Sequence, residues 1–106
     1  MDEIRGYKAF TSELKCRDMQ YEVGKQFTVE GELKACENGI HFCRKLKDVY
    51  NYYSKNYNTR VCEVICDGDY IEEGYKICAR SIKLVRELTK DEIKSLTDRD
   101  WETLVL

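Results

Sequence analysis

Arg60-Val61-Cys62-Glu63-Val64-Ile65-Cys66-Asp67-Gly68-Asp69 decides the architecture of this chain. Its β-branched and sulfur side chains form a short apolar run closed by Asp-Gly-Asp turn chemistry, which reads as a buried central strand ending in a turn. Downstream, Tyr75 to Leu88 also reads as strand. There Ile77, Ala79 and Ser81 alternate against Cys78, Arg80 and Ile82 before Leu84 and Val85, and so long a strand needs a bulge or bend. Upstream, Gly6 to Phe10 and Gln26 to Val29 are short strands, with Cys16 and a Val23-Gly24-Lys25 turn between them. Glu37-Asn38-Gly39 is the strongest turn signal, because Asn-Gly tolerates positive φ at both central positions, and a strand Ile40 to Cys43 follows it.

Between these strands the apolar period changes. Leu46, Val49, Tyr50, Tyr53 and Tyr57 recur at helical spacing and predict the main helix, with that stripe on the sheet and Lys47, Asp48, Tyr52 and Lys55 in solvent. Thr89-Lys90-Asp91-Glu92 has capping-box spacing and opens a short helix toward Leu96, after which Trp101 to Leu106 packs back as an apolar terminal segment. The class is α+β: a small, mostly antiparallel sheet with one main helix and a short C-terminal helix.

A length of 106 residues fits one domain, 1–106, with a single core. Lys and Arg number 18 against 20 Asp and Glu, a net charge of -2, which excludes a basic nucleic-acid-coating protein and a strongly acidic mimic. Concentrated basicity occurs only in Arg44-Lys45-Leu46-Lys47, which a solvated helix entrance explains, so a nucleic-acid partner is not expected. The charged start Met1 to Gly6 is no signal peptide, and no apolar run reaches the roughly 18 residues of a membrane span. A monomer in the cytoplasm, without a membrane partner, is the expectation.

Six cysteines and one histidine carry the chemistry. In a reducing compartment the cysteines read as thiols or metal ligands rather than as a disulfide framework. Cys36-x4-His41-x-Cys43 brings three zinc-type ligands together around a turn, and Cys16 completes a closed Cys3His structural site that would staple the domain. Cys78 competes for the fourth position. Cys62 and Cys66 would stand about 13 Å apart in an extended strand, too far to share one ion, and read as small buried hydrophobes. The alternative is six plain thiols and a hydrogen-bonded, half-buried His41. No catalytic residue is assigned: Cys43 and His41 on one short strand suit a nucleophile and its base poorly, and four protein ligands leave no open position on a metal.

Gly6-Tyr7-Lys8-Ala9-Phe10, Cys16-Arg17, Gln20-Tyr21-Glu22-Val23-Gly24-Lys25 and Cys36-Glu37-x-Gly39-x-His41-x-Cys43, followed by Val49-Tyr50-Asn51-Tyr52-Tyr53, resemble a family of small phage and mobile-element proteins of undefined function. The likeness runs through Leu88. It implies that the recurrent ligands are Cys16, Cys36, His41 and Cys43, with zinc as cofactor. Proteins of this kind include anti-CRISPR proteins, so the implied function is a non-enzymatic inhibitor that binds a host-defence protein, namely the RNA-guided nuclease of a type II CRISPR system, in the host bacterial cytoplasm. Tyr52, flanked by Lys47 and Lys55 off the apolar stripe, is the expected partner-binding patch. The element order is also similar to that of ADP-ribosyltransferases, degenerate or active. In that likeness Lys8 stands where such enzymes keep a His or Arg and His41 stands near their Tyr position, with no catalytic Glu to match.

Overall fold

The computed structural model describes residues 3–17, 19–35, 37–50 and 58–105, with side chains of the last helix described through Thr97. The strands are β1 (Ile4–Phe10), β2 (Lys15–Cys16), β3 (Met19–Gln20), β4 (Gln26–Thr28), β5 (Ile40–Phe42), β6 (Arg60–Cys66), β7 (Tyr70–Glu73), β8 (Lys76–Ala79) and β9 (Ser81–Glu87). Two helices, α1 (Leu46–Val49) and α2 (Lys90–Val105), complete the α+β fold. An antiparallel sheet runs in the order β1-β6-β9-β4, a second in the order β5-β8-β7, and β2 pairs with β3 alone.

β6 is the buried central strand that its composition predicts. Val64, Cys66 and Cys62 face one core cluster with Phe10, Phe42, Ile77, Ile82 and Leu84. Val61 points the other way, into a second cluster with Ala9, Cys43, Leu46, Val49 and Leu88, which Ile93 and Leu96 of α2 help to cover. This alternation is the period of a strand buried on both faces. The long Tyr75–Leu88 segment is broken at Arg80 into β8 and β9, which serve different sheets. A bulge follows: Glu63 pairs with Arg86 but Val64 pairs with Leu84, so Val85 is the extra residue.

The two sheets are also tied together between β1 and the end of β5. Tyr7 N–H donates to the Cys43 carbonyl at 2.7 Å, and Cys43 N–H donates back to Tyr7 at 2.9 Å. Gly6 permits this approach, since a Cβ there would stand 2.3 Å from the Cys43 oxygen and 2.6 Å from the Phe42 ring. Gly39, at φ +147, is needed for a similar reason, because its Cβ would fall 2.2 Å from the Cys78 sulfur.

Several expectations are corrected. Asn38-Gly39 is not the centre of a two-residue turn: Lys34 and Asn38 exchange backbone hydrogen bonds, and the Asn38 side chain donates to the Glu30 carbonyl at 2.7 Å and the Glu32 carbonyl at 3.0 Å, tying down the preceding loop. Of the expected helix Leu46 to Tyr57, α1 spans Leu46–Val49 with Tyr50 as its C-cap, and 51–57 lie outside the described residues; among the described residues the longer helix is α2. α2 opens on the expected box, with Thr89 N–H donating to Glu92 at 3.0 Å and Glu92 N–H to the Thr89 hydroxyl at 3.1 Å, but it runs on to Val105 instead of ending near Leu96. Leu46 and Val49 are buried as the stripe requires. Asp48 and Lys47 do not stand in solvent: Asp48 is 8% exposed, and the Lys47 side chain, 13% exposed, lies 3.9 Å from its carboxylate. Tyr52, Tyr53, Lys55 and Tyr57 lie outside the described residues.

Candidate functional site

Along β1, Ile4, Gly6 and Phe10 face the first core cluster, and the same parity points Lys8 inward. Lys8 is only 5% exposed. Its Nζ donates to the His41 carbonyl at 2.6 Å and stands 5.7 Å from the Tyr21 ring centre and 5.8 Å from that of Phe10, a desolvated cation over two aromatic faces. Burial holds the amine below the usual lysine range, while contact with Cys16 acts in the opposite direction.

The β2–β3 hairpin forms the wall facing Lys8. The turn that leads into it is built locally: the Thr11 hydroxyl accepts from the N–H groups of Glu13 and Lys15, and Gln20 Nε2 donates to the carbonyls of Glu13, Leu14 and Tyr21. Leu14 at φ 60 and Arg17 at φ 56 are the non-glycine residues with positive φ among the described residues, and they bracket Cys16. Tyr21, stacked between Phe10 and Phe27 with centroids 5.0 and 4.7 Å away, closes the base of the hairpin.

Between β1, this hairpin, β5 and α1 lies a cavity of about 650 Å³, within the range of small-molecule sites. Lys8 of β1, Cys16 and Arg17 of the hairpin, His41 of β5 and Cys43 after it all line its wall. Three of the four residues expected to hold zinc therefore come together from segments distant in sequence, while Cys36 lies outside the described residues. Two thiols and an imidazole suit zinc chemically. Among the described residues, however, no three His, Cys, Asp or Glu side chains approach closely enough to hold a metal ion.

Burial, with Lys8, Lys76 and Arg17 adding to it, pushes the His41 imidazole down to about 4, so the ring is neutral at pH 7. Burial likewise pushes the Cys43 thiol up to about 11. Cys78, the competing ligand, is opposite His41 in the β5–β8 register, but it does not line the cavity. Its sulfur lies under Gly39, 3.4 Å from the Asn38 carbonyl. Cys62 and Cys66 are fully buried in β6, as small hydrophobes should be.

Lys8, Arg17, Tyr21 and Lys76 are the wall residues that ligand spacing alone does not single out. For Lys8 a signal exists, since counting by two from Ile4 to Phe10 puts a lysine on the inward face. Lys76 has no such signal, because its place depends on β8 pairing with β5.

No described helix is long and apolar enough to cross a membrane. Residues 4–96 match the model of a family described as a domain of unknown function (DUF7666). No curated protein and no solved structure matches the chain.

Proposed function

We propose that this chain, which belongs to the DUF7666 family, is a binding protein whose working centre is the cavity between β1, the β2–β3 hairpin and β5. One observation carries this reading: Lys8, Cys16, Arg17, His41 and Cys43, drawn from three separate segments, line one cavity of ligand size. Binding rather than catalysis follows from the state of its groups. The imidazole is a weak base at about 4, the Cys43 thiol at about 11 is a weak nucleophile, and the described lining residues include no carboxylate. The test is a fragment screen read by amide-resolved NMR. Hits should shift the Tyr7, Cys16, His41 and Cys43 amides together; hits that all map elsewhere would refute the site.

A second reading of the same wall is a structural zinc centre, favoured by Cys16, His41 and Cys43 sharing the cavity. Elemental analysis of protein purified without chelator should then find one zinc per chain, lost in Cys36→Ser and retained in Cys62→Ser. The likeness to ADP-ribosyltransferases falls on this cavity too, through Lys8 and His41, and incubation with NAD and a mass measurement of candidate targets tests it. For the macromolecular partner, the resemblance to phage proteins supports a host-defence protein, the type II CRISPR nuclease first, blocked by stoichiometric binding. Inhibition saturating at equimolar ratio, with the target's mass unchanged, is the expected result; substoichiometric inactivation would favour an enzyme.

A further inference from the structure

The lining of the cavity departs in charge from the rest of the molecule. The chain as a whole carries -2, yet Lys8, Arg17 and Lys76 all line this cavity and its described lining residues include no Asp or Glu. Elsewhere among the described residues the arginines are paired with carboxylates. Arg5 lies 2.8 Å from Glu63, Arg44 2.9 Å from Glu72, Arg80 3.3 Å from Asp69 and Arg86 3.3 Å from Glu63, and Arg60 pairs with Glu87. Arg17 has no carboxylate partner among the described residues, and it holds the left-handed backbone conformation, φ 56, that side chains rarely adopt. Cys16 pairs with Met19, so Arg17 opens a two-residue hairpin loop, and a positive φ there is what such a turn requires.

Lys8 adds a cation on the inner wall, buried where a charge is costly unless something compensates it. The His41 carbonyl takes one of its three N–H donors and the Cys16 sulfur a second. The rest of the lining is apolar or aromatic, with Met19, Tyr21 and Phe42 among its members. Cations with an aromatic wall select a ligand that carries both an anionic group and a flat apolar body.

We infer that the cavity binds a small anionic molecule with an aromatic body, a phosphate monoester in the first instance, with Arg17 as the fork that takes the anion and Lys8 and Lys76 as supporting charges. This rests on the cavity being a ligand site. An aryl carboxylate offers related chemistry, and the experiment separates the two.

Titration calorimetry on the full chain, with its metal content measured beforehand, would compare nucleoside monophosphates with the matching nucleosides and with benzoate. At least one monophosphate should bind tenfold or more tightly than its nucleoside, and its affinity should fall with added salt. Arg17→Gln should remove about that tenfold for the monophosphate and leave the nucleoside unchanged. Arg17→Gly, which suits the backbone conformation, should lose the monophosphate equally while keeping the wild-type melting temperature, so that the loss is not misfolding. Benzoate binding in place of every phosphate would assign the carboxylate class and overturn the phosphate assignment. Equal affinity for monophosphate and nucleoside, insensitive to Arg17, would overturn the anion assignment and leave the cavity as a neutral-ligand site. Absence of binding by all probes, together with fragment hits that never reach the Tyr7 and His41 amides, would bring down the cavity reading itself.

Discussion

Cys62 and Cys66 belong to the middle of β6, while Cys16 and Cys43 stand on the wall of a cavity, and the two pairs show how one residue type serves two ends. The β6 side chains Cys62 and Cys66 pack into the first core cluster, Cys62 0% and Cys66 1% exposed. Burial pushes the Cys62 thiol up to about 12, so it stays protonated and acts as a small hydrophobe. Around Cys16 the neighbours are Lys8, Arg17, His41 and Tyr21, and the volume is open. Core positions in this fold are satisfied by shape. The cavity wall instead gathers Lys8, Arg17 and Lys76, and its described lining residues include no Asp or Glu.

The largest effect that would sharpen this contrast is Cys62→Ser. A hydroxyl forced into a dry, packed core should cost about 2 kcal/mol in chemical denaturation. A loss under 0.5 kcal/mol would mean that β6 is less tightly packed than the contrast requires.

Acid comes next, with His41 as the cavity group that responds. His41 titrates near 4 in the folded chain, against about 6.5 when unfolded, so between those values the unfolded state binds more protons. Stability from this group is fully present above about pH 6.5 and is lost as pH falls through 4. Because the ring is only half-buried, the loss should be about 1 kcal/mol, read as the difference between wild type and His41→Gln in denaturation at pH 7.5 and pH 4. Parallel pH profiles for the two proteins would show that His41 does not feel the cavity.

The smallest expected effect is that of Cys16→Ser, within about 0.5 kcal/mol, since a half-buried thiol facing open volume loses little packing. A loss as large as that of Cys62→Ser, accompanied by zinc release, would move Cys16 from wall residue to metal ligand.

Much of the fold was legible where local chemistry decides it. The β6 run, the β1 strand around Gly6 to Phe10, the Thr89–Glu92 box and the turn at Gly24 each depend on neighbours in sequence, and each stands where the residues place it. The β7–β8 hairpin was not legible, because Tyr70 to Glu73 is exposed at every position and shows no alternation. The full extent of α2 was hidden as well, since Trp101 to Leu106 reads as an apolar tail when propensity is set aside. At the site, Cys16, His41 and Cys43 were found from ligand chemistry. Arg17 was legible only as the neighbour of Cys16, because an exposed arginine is ordinary until, among the described residues, it is seen without a carboxylate beside five paired ones.

The placement of β1 has a consequence for how the chain is made. Arg5 and Glu63, diagonal neighbours joined by a hydrogen bond across β1 and β6, are 58 residues apart. At translation rates of roughly 5 to 20 residues per second, β1 leaves the ribosome roughly 3 to 12 seconds before its strand partner exists. During that interval Ile4, Ala9 and Phe10, all buried in the finished molecule, have no β6 to cover them. Lys8 and Arg5 sit among these apolar residues and keep the nascent strand charged. The cation later enclosed at the cavity thus also works as a gatekeeper against premature association while the chain is still being synthesised.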